Sequence, residues 1–234
     1  MDWDTYAQTY RQLDDESTVP PLLRRVLDGS SGTLIDVGCG EGALLDRLRA
    51  GYGDAWTLTG YEVSGVRAEM ARSHGHTVHT SPDGVVPVED GSFDVATASH
   101  VIEHVPDDGV FARELLRITR PGGFVYVETP VKLPGAWYFR RNPQAGWVLD
   151  STHVREYRSA AAVNEVLAGA GLTVVAEDLT PISYPLAAAG LLVRRVLRLP
   201  QSTKRPSGLA ARSVSIPRYR QQAVLTQRPE PPVA

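Results

Sequence analysis

The chain predicts an α/β protein: an open, doubly wound sheet of mostly parallel strands with helices on both faces. Short apolar runs alternate with helically spaced segments between residues 33 and 180. Residues 34–42, Leu-Ile-Asp-Val-Gly-Cys-Gly-Glu-Gly, end one apolar run in a glycine turn, and residues 43–49 continue at once with helical spacing. A second apolar run then ends in an acid, Glu62, about twenty residues beyond the turn, where such sheets recognise a ribose.

The elements follow in order. Residues 1–29 read as helical, with Trp3, Tyr6 and Tyr10 at three- and four-residue steps and Pro20-Pro21 opening a second helix that Gly29 and Gly32 end. The first strand spans 33–38, and its helix runs to about residue 50. The second strand is 57–63, and Ser64 caps a helix to Ser73. Strands at 77–79 and 93–98 follow. A helix from Phe111 to Thr119 is stopped by Pro121-Gly122-Gly123, and a fifth strand, 124–129, is closed by Pro130. A helix over 159–168 leads to a sixth strand at 172–176, and a seventh lies near 221–227. The expected organisation is a helical cap (1–30), a core (31–180), a basic insertion or lid (181–218), and a last strand with a frayed tail (219–234). Residues 131–158, rich in aromatic residues, form a second lid candidate at the ligand-binding edge of the sheet.

Composition bounds the class. The 234 residues are 42% hydrophobic and 22% charged, which is ordinary for a globular domain. No apolar run approaches the length of a membrane span, and Met1-Asp-Trp-Asp lacks the bases of a signal peptide. The single cysteine, Cys39, fits a reducing cytoplasm. The net charge of −3 hides an asymmetry: residues 181–234 hold nine arginines and lysines against Glu230 alone. That stretch suits either an anionic partner or a solvated basic loop balancing an acidic body.

The glycine spacing selects the ligand. A dinucleotide fingerprint is G-x-G-x-x-G, whereas here Gly38, Gly40 and Gly42 fall as G-x-G-x-G after Asp36. An acid two residues before the turn is poorly placed for a phosphate and well placed for a cationic group. Asp36-Val-Gly-Cys-Gly-Glu-Gly42 resembles motif I of class I S-adenosylmethionine (SAM)-dependent methyltransferases. Arg117-Ile-Thr-Arg-Pro-Gly-Gly-Phe-Val-Tyr and His153-Val-Arg-Glu-Tyr157 extend the likeness toward the small-molecule "type 11" and ubiquinone-pathway O-methyltransferase branch.

The resemblance implies a Rossmann-like seven-stranded sheet whose last strand is antiparallel and inserted between the fifth and sixth. It implies a SAM site, releasing S-adenosylhomocysteine, built from Tyr10, Asp36, Gly38, Cys39, Gly40, Gly42, Glu62, Val63, Asp83, Gly84, Ser99 and His100. Glu62 presents two oxygens to a ribose diol. Asp83 stands one residue out of register with the usual adenine-binding acid, Pro82 being in register. The tetrad Asn/Asp-Pro-Pro-aromatic is absent after the fourth strand, which counts against amide and DNA-adenine acceptors.

His100, Glu103 and His104 are spaced i, i+3, i+4, so a helical turn puts them on one face, and His153 joins them from the loop after the fifth strand. The set resembles the E-x-x-E-H plus His site for a divalent metal in ubiquinone-pathway O-methyltransferases, with His100 in place of a glutamate. Glu103, His104 and His153 are the metal candidates, and imidazole favours a transition metal or zinc over magnesium. The other reading is metal-free, with His153, His100 or His104 as the base that takes the acceptor's proton. The expected reaction is methyl transfer to an oxygen of a small phenolic or quinone-like acceptor. N- or C-methylation is the alternative. So is peripheral membrane action on a lipid-like acceptor through an apolar helix at 187–199 bearing Arg194, Arg195 and Arg198. No nucleic-acid partner is expected.

Overall fold

The protein is described from a computed structural model, covering residues 3–4, 18–81, 84–136, 140–142, 146–150, 152–185 and 213–231. Expectations on Tyr10, Asp83, the aromatic residues at 137–139 and the helix at 187–199 lie outside the described residues, as does the side chain of Trp147.

In chain order the elements begin with α1 (Pro21–Leu27), β1 (Gly32–Val37), α2 (Ala43–Tyr52) and β2 (Trp56–Tyr61). There follow α3 (Gly65–Ser73), β3 (Thr77–His79), β4 (Phe93–Ser99), α4 (Asp108–Ile118) and β5 (Thr119–Lys132). The small strands β6 (Arg140–Asn142) and β7 (Gly146–Val148) come next, then α5 (Ala160–Gly169), β8 (Thr173–Pro185) and β9 (Ser213–Gln227).

Seven strands form one sheet in the order β3-β2-β1-β4-β5-β9-β8, while β6 and β7 pair as a separate hairpin. Pairs from β3 to β5 are parallel; β9 runs antiparallel to both β5 and β8. The expected doubly wound architecture, with an antiparallel last strand inserted between the fifth and sixth, is therefore the one found.

Alternation along the central strands explains why helices cover both faces. Ile35, Val37, Ala96, Ala98, Val125 and Val127 pack with Leu115, Ile118, Val163 and Leu167 of α4 and α5. Their neighbours Leu34, Val95, Tyr126 and Leu225 pack with Leu22, Leu23, Leu27, Leu44 and Leu48 of α1 and α2. Both faces are buried, so the strands read as continuous apolar runs. Asp94 locks the start of β4 to β1 by accepting the backbone N–H and hydroxyl of Thr33 at 2.8 and 2.9 Å.

Several boundaries differ from expectation. Helix α4 begins at Asp108, capped by the Asp107 carboxylate on the Val110 N–H at 2.7 Å. Pro121-Gly122-Gly123 does not separate helix from strand but lies inside β5, where the β4–β5 register shifts between Phe93 and Val95. Pro130 does not close β5 either. The carbonyl of Glu128 and the N–H of Lys132 face the β4 side, toward His100 and Tyr157, so the missing donor of Pro130 faces the gap beyond the end of β4. Strands β8 and β9 run on to Pro185 and back to Ser213, paired to their ends, so residues 181–185 and 213–218 are strand rather than insertion. Residues 102–104 form a turn, not a helix.

Candidate active site

The parallel strands deliver their ends to one edge of the sheet, and the glycine turn sits there after β1. Gly38, Gly40 and Gly42 have φ of 79°, 56° and 91°, a region that costs a residue with a Cβ about 1–2 kcal/mol. Space is closed as well: a Cβ on Gly38 would collide with Val101, and one on Gly42 would come 2.9 Å from the His76 ring.

The turn's N–H groups are used internally. Gly38 and Cys39 donate to the Tyr61 carbonyl at 2.7 and 3.0 Å, and Gly42 donates to the Cys39 carbonyl at 3.0 Å. Gly40 donates to Glu62 Oε2 at 2.9 Å, and Ser64 N–H donates to Glu62 Oε1, also at 2.9 Å. Those four turn amides do not form the nest of free donors that a pyrophosphate needs. The carboxylate that receives two of these backbone amides is buried, 6% exposed, and keeps a second lone pair on each oxygen. Such a group suits a ribose diol.

The other site residues fall around this turn. Asp36 is buried and accepts the Thr97 hydroxyl of β4 at 2.7 Å. The Cys39 side chain packs with Leu45, Ala68, Ala71 and Val78, and burial foremost, then Asp36 and Glu62, push the thiol far above its usual range. Val63 is 40% exposed beyond Glu62. Gly84 has a φ of 77° in the loop before Val85, and Ser99 ends β4 opposite Glu128 of β5.

The histidines form a second group against the first, because Val101, which closes over Gly38, opens the loop that carries Glu103 and His104. Glu103 is fully buried. Its Oε2 accepts the Thr129 hydroxyl at 2.9 Å, and its Oε1 has no hydrogen-bond partner, the His100 Nδ1 lying 3.4 Å away. Burial pushes this carboxyl up, yet His100, His104 and His153 outweigh burial and hold it at about 2. One ligand atom each of Glu103, His104 and His153 lie within 4.8 Å of one another.

Neighbours fix both imidazoles of that trio. His104 Nδ1 is 3.3 Å from the Thr152 carbonyl, which can only accept, so this nitrogen carries hydrogen. His153 Nδ1 lies 3.2 Å from Glu156 Oε1, a carboxylate, with the same consequence. Nε2 of each ring is then the free ligand atom. The rings sit edge to face at 4.9 Å, and Trp3 covers His104 at 5.7 Å. Burial chiefly lowers the pKa of His104, against the pull of the Glu103 carboxylate, which raises it.

His100 stands apart from the trio, held between Glu103 and Gln221. Its backbone is left-handed, with φ 56°, its ring is half exposed, and its Nε2 lies 3.2 Å from the Gln221 amide nitrogen. The i, i+3, i+4 spacing thus brings Glu103 to both neighbours without a helix. Sequence reasoning did not pick out Thr129, Thr152, Glu156 or Gln221. Glu156 carries a legible signal, three residues after His153; Gln221 carries none, being 121 residues from His100.

A sheet of this topology, with a carboxylate-gripped glycine turn and an imidazole–carboxylate cluster at the same edge, defines a class I SAM-dependent methyltransferase. Residues 8–177 match the family model described as a methyltransferase domain, and the chain belongs to that family. It is 31% identical over 117 residues to the ubiquinone biosynthesis O-methyltransferase of Bordetella bronchiseptica, covering 47% of this chain and 47% of that one. It is 36% identical over 103 residues to that of Thiobacillus denitrificans, covering 41% and 43%. The chain spans about half the length of these curated relatives.

Among solved structures, it matches a SAM-dependent methyltransferase of Methanosarcina mazei with a TM-score of 0.62 at 12% identity, covering 92% of this chain and 100% of that one. It matches the SAM complex of a phosphoethanolamine N-methyltransferase of Haemonchus contortus with a TM-score of 0.58 at 14% identity, covering 89% and 51%. These likenesses show the fold. No helix among the described residues is long and apolar enough to cross a membrane.

Proposed function

We propose that this chain transfers the methyl group of SAM to an oxygen of a small-molecule acceptor, a phenol or a quinone-like hydroxyl compound, in the cytoplasm. The observation that carries the reading is the contact of the two groups just described: Val101 joins the glycine turn at Gly38 to the loop of Glu103 and His104. The cofactor's sulfonium and the acceptor's proton-removing group then share one edge of the sheet.

In this reading Glu62 takes the ribose hydroxyls, and Asp36, Gly38, Gly40, Gly42, Val63, Gly84 and Ser99 surround the rest of SAM. The turn's Cys39 contributes backbone only. The methyl moves in line from sulfur to the acceptor oxygen, the S–C bond breaking as the O–C bond forms. The electron pair returns to sulfur, giving S-adenosylhomocysteine. Holding the oxygen about 3 Å from the methyl supplies much of the acceleration. In this reading His100, half exposed beside buried Glu103, takes the acceptor's proton on Nε2, the acceptor displacing the Gln221 amide that donates to that nitrogen at 3.2 Å.

Glu103, His104 and His153 fit a divalent metal: one buried carboxylate oxygen is orphaned, and both rings present Nε2. Two imidazoles and one carboxylate suit zinc or another first-row metal. When bound, such an ion would supply Lewis acidity that eases loss of the acceptor's proton. The residues themselves need only converge, within the 4.8 Å they already span.

Calorimetry with S-adenosylhomocysteine, paired with turnover of SAM on a catechol panel, tests the proposal. Glu62→Ala should weaken binding at least tenfold. His100→Gln should keep binding within about twofold and lose 10²–10⁴ in turnover. No heat with either sulfur nucleoside, together with clear uptake of a nicotinamide dinucleotide, would end the reading.

A further inference from the structure

We propose that Arg155 is a positioning residue. It clamps the loop of Glu103 and His104 onto the segment of His153, so that the three groups face one another. The inference rests on the reading of that trio given above.

Residues 102–106 are turns and bends, and the carbonyls of Ile102, Val105 and Pro106 lack the partners that a helix or strand would provide. Arg155 supplies them. Its Nη1 donates to the carbonyls of Ile102 and Val105 at 2.8 and 2.6 Å, and its Nη2 donates to that of Pro106 at 2.6 Å. Its Nε lies 3.2 Å from Asp108 Oδ2, at the start of α4. Tyr157 adds its hydroxyl to the same oxygen at 2.9 Å.

The backbone of the segment joins in. The N–H groups of Val154 and Arg155 both point to the Glu103 carbonyl, at 3.0 and 3.4 Å. Thr152, one residue before His153, holds His104 Nδ1 through its carbonyl and its hydroxyl, at 3.3 and 3.1 Å. Residues 152–155 therefore read the loop from end to end, and Arg155 is the member whose side chain spans it.

A guanidinium carries five donors in one plane, which is what three carbonyls and a carboxylate around one point demand. A lysine ammonium has three donors on a flexible stem and cannot reproduce the fork. Arg155 touches neither the cofactor turn nor the half-exposed ring of His100 in any contact described. It acts through Glu103 and His104, by setting where they stand relative to His153.

The test is histidine-selective ¹⁵N NMR on the full chain and on Arg155→Ala and Arg155→Lys, with and without zinc ion, beside calorimetry with S-adenosylhomocysteine. In the unsubstituted protein His104 and His153 should each show the Nδ1–H tautomer. In Arg155→Ala, His104 should average between tautomers while His153 keeps its own, held by Glu156. Zinc affinity should fall ten- to a hundredfold, and S-adenosylhomocysteine affinity should stay within twofold. Arg155→Lys should behave like the alanine variant.

Retention of the His104 tautomer and of zinc affinity in Arg155→Ala overturns the proposal. So does joint loss of zinc and nucleoside binding, which makes Arg155 a brace of the whole edge. If zinc moves no resonance even in the unsubstituted protein, the metal reading fails. The fate of the His104 tautomer in Arg155→Ala still decides the role of Arg155.

Discussion

Gly38 concentrates the residue-scale physics of this site. Its φ of 79° and the crowding by Val101 act together, so Gly38→Ala must adopt a left-handed backbone and displace a packed neighbour. The expected loss is about 2–4 kcal/mol in chemical denaturation, with S-adenosylhomocysteine affinity reduced at least tenfold in calorimetry. Gly29 is the control. Its φ is 74°, but a Cβ there would meet nothing within 4 Å, so Gly29→Ala should cost only about 1–2 kcal/mol and leave affinity unchanged. The turn was legible in the sequence because its glycines and Asp36 act within a few residues of one another. The partners that hold the site were not. Thr97 reaches Asp36 across the β1–β4 register, and Thr129 of β5 reaches Glu103 in a turn 26 residues away, neither of which sequence spacing encodes.

At the scale of the element, α4 places the loop before it. Its N-cap, Asp107, directly follows the Val105 and Pro106 carbonyls that Arg155 grips, and its first residue is Asp108, the carboxylate beside the same guanidinium. Asp107→Ala should cost about 1 kcal/mol, read as a shift of the denaturation midpoint at unchanged slope. Strands and helices of the core were legible because their apolar periodicity is local. Their ends were not, where tertiary context overrides a strong local signal. Proline usually stops a strand, yet Pro130 lies at a position with no acceptor to satisfy. Histidine and glutamate at i, i+3, i+4 usually mean a helix, yet Arg155 and the Glu103 carbonyl hold a turn there instead.

For the whole molecule, acid is the informative perturbation. Glu114 accepts the Val86 N–H at 2.9 Å and pairs with Arg117, which in turn binds the Val86 and Val88 carbonyls, tying α4 to the loop before β4. Burial raises the Glu114 carboxyl, but Arg117 and the Val86 N–H outweigh it and hold it below the ordinary glutamate value of 4.5. Burial opposes ionisation of Asp94 too, and there Arg120 and Thr33 win, lowering the carboxyl from its ordinary 3.8. Both groups bind protons more weakly folded than unfolded, so each contributes stability that is fully present above its unfolded value and fades as pH falls through the folded one. Glu114→Gln should therefore lose about 1 kcal/mol at pH 7, and the gap to the parent should close as the pH falls below the ordinary glutamate value, as read by urea denaturation across that range. A constant gap at all pH values would refute the assignment.

The order of strands in space has a consequence for synthesis. Strand β8 has no place beside β5 until β9 slips between them, yet the ribosome makes β8 first. Tyr219 and Gln221, which steady Glu156 and His100, arrive on that same late strand. A nascent chain halted after β8 would carry the glycine turn and Glu62, while Glu156 and His100 still lacked those two partners. The turn would then take shape before the surroundings of the histidine cluster do, during translation itself.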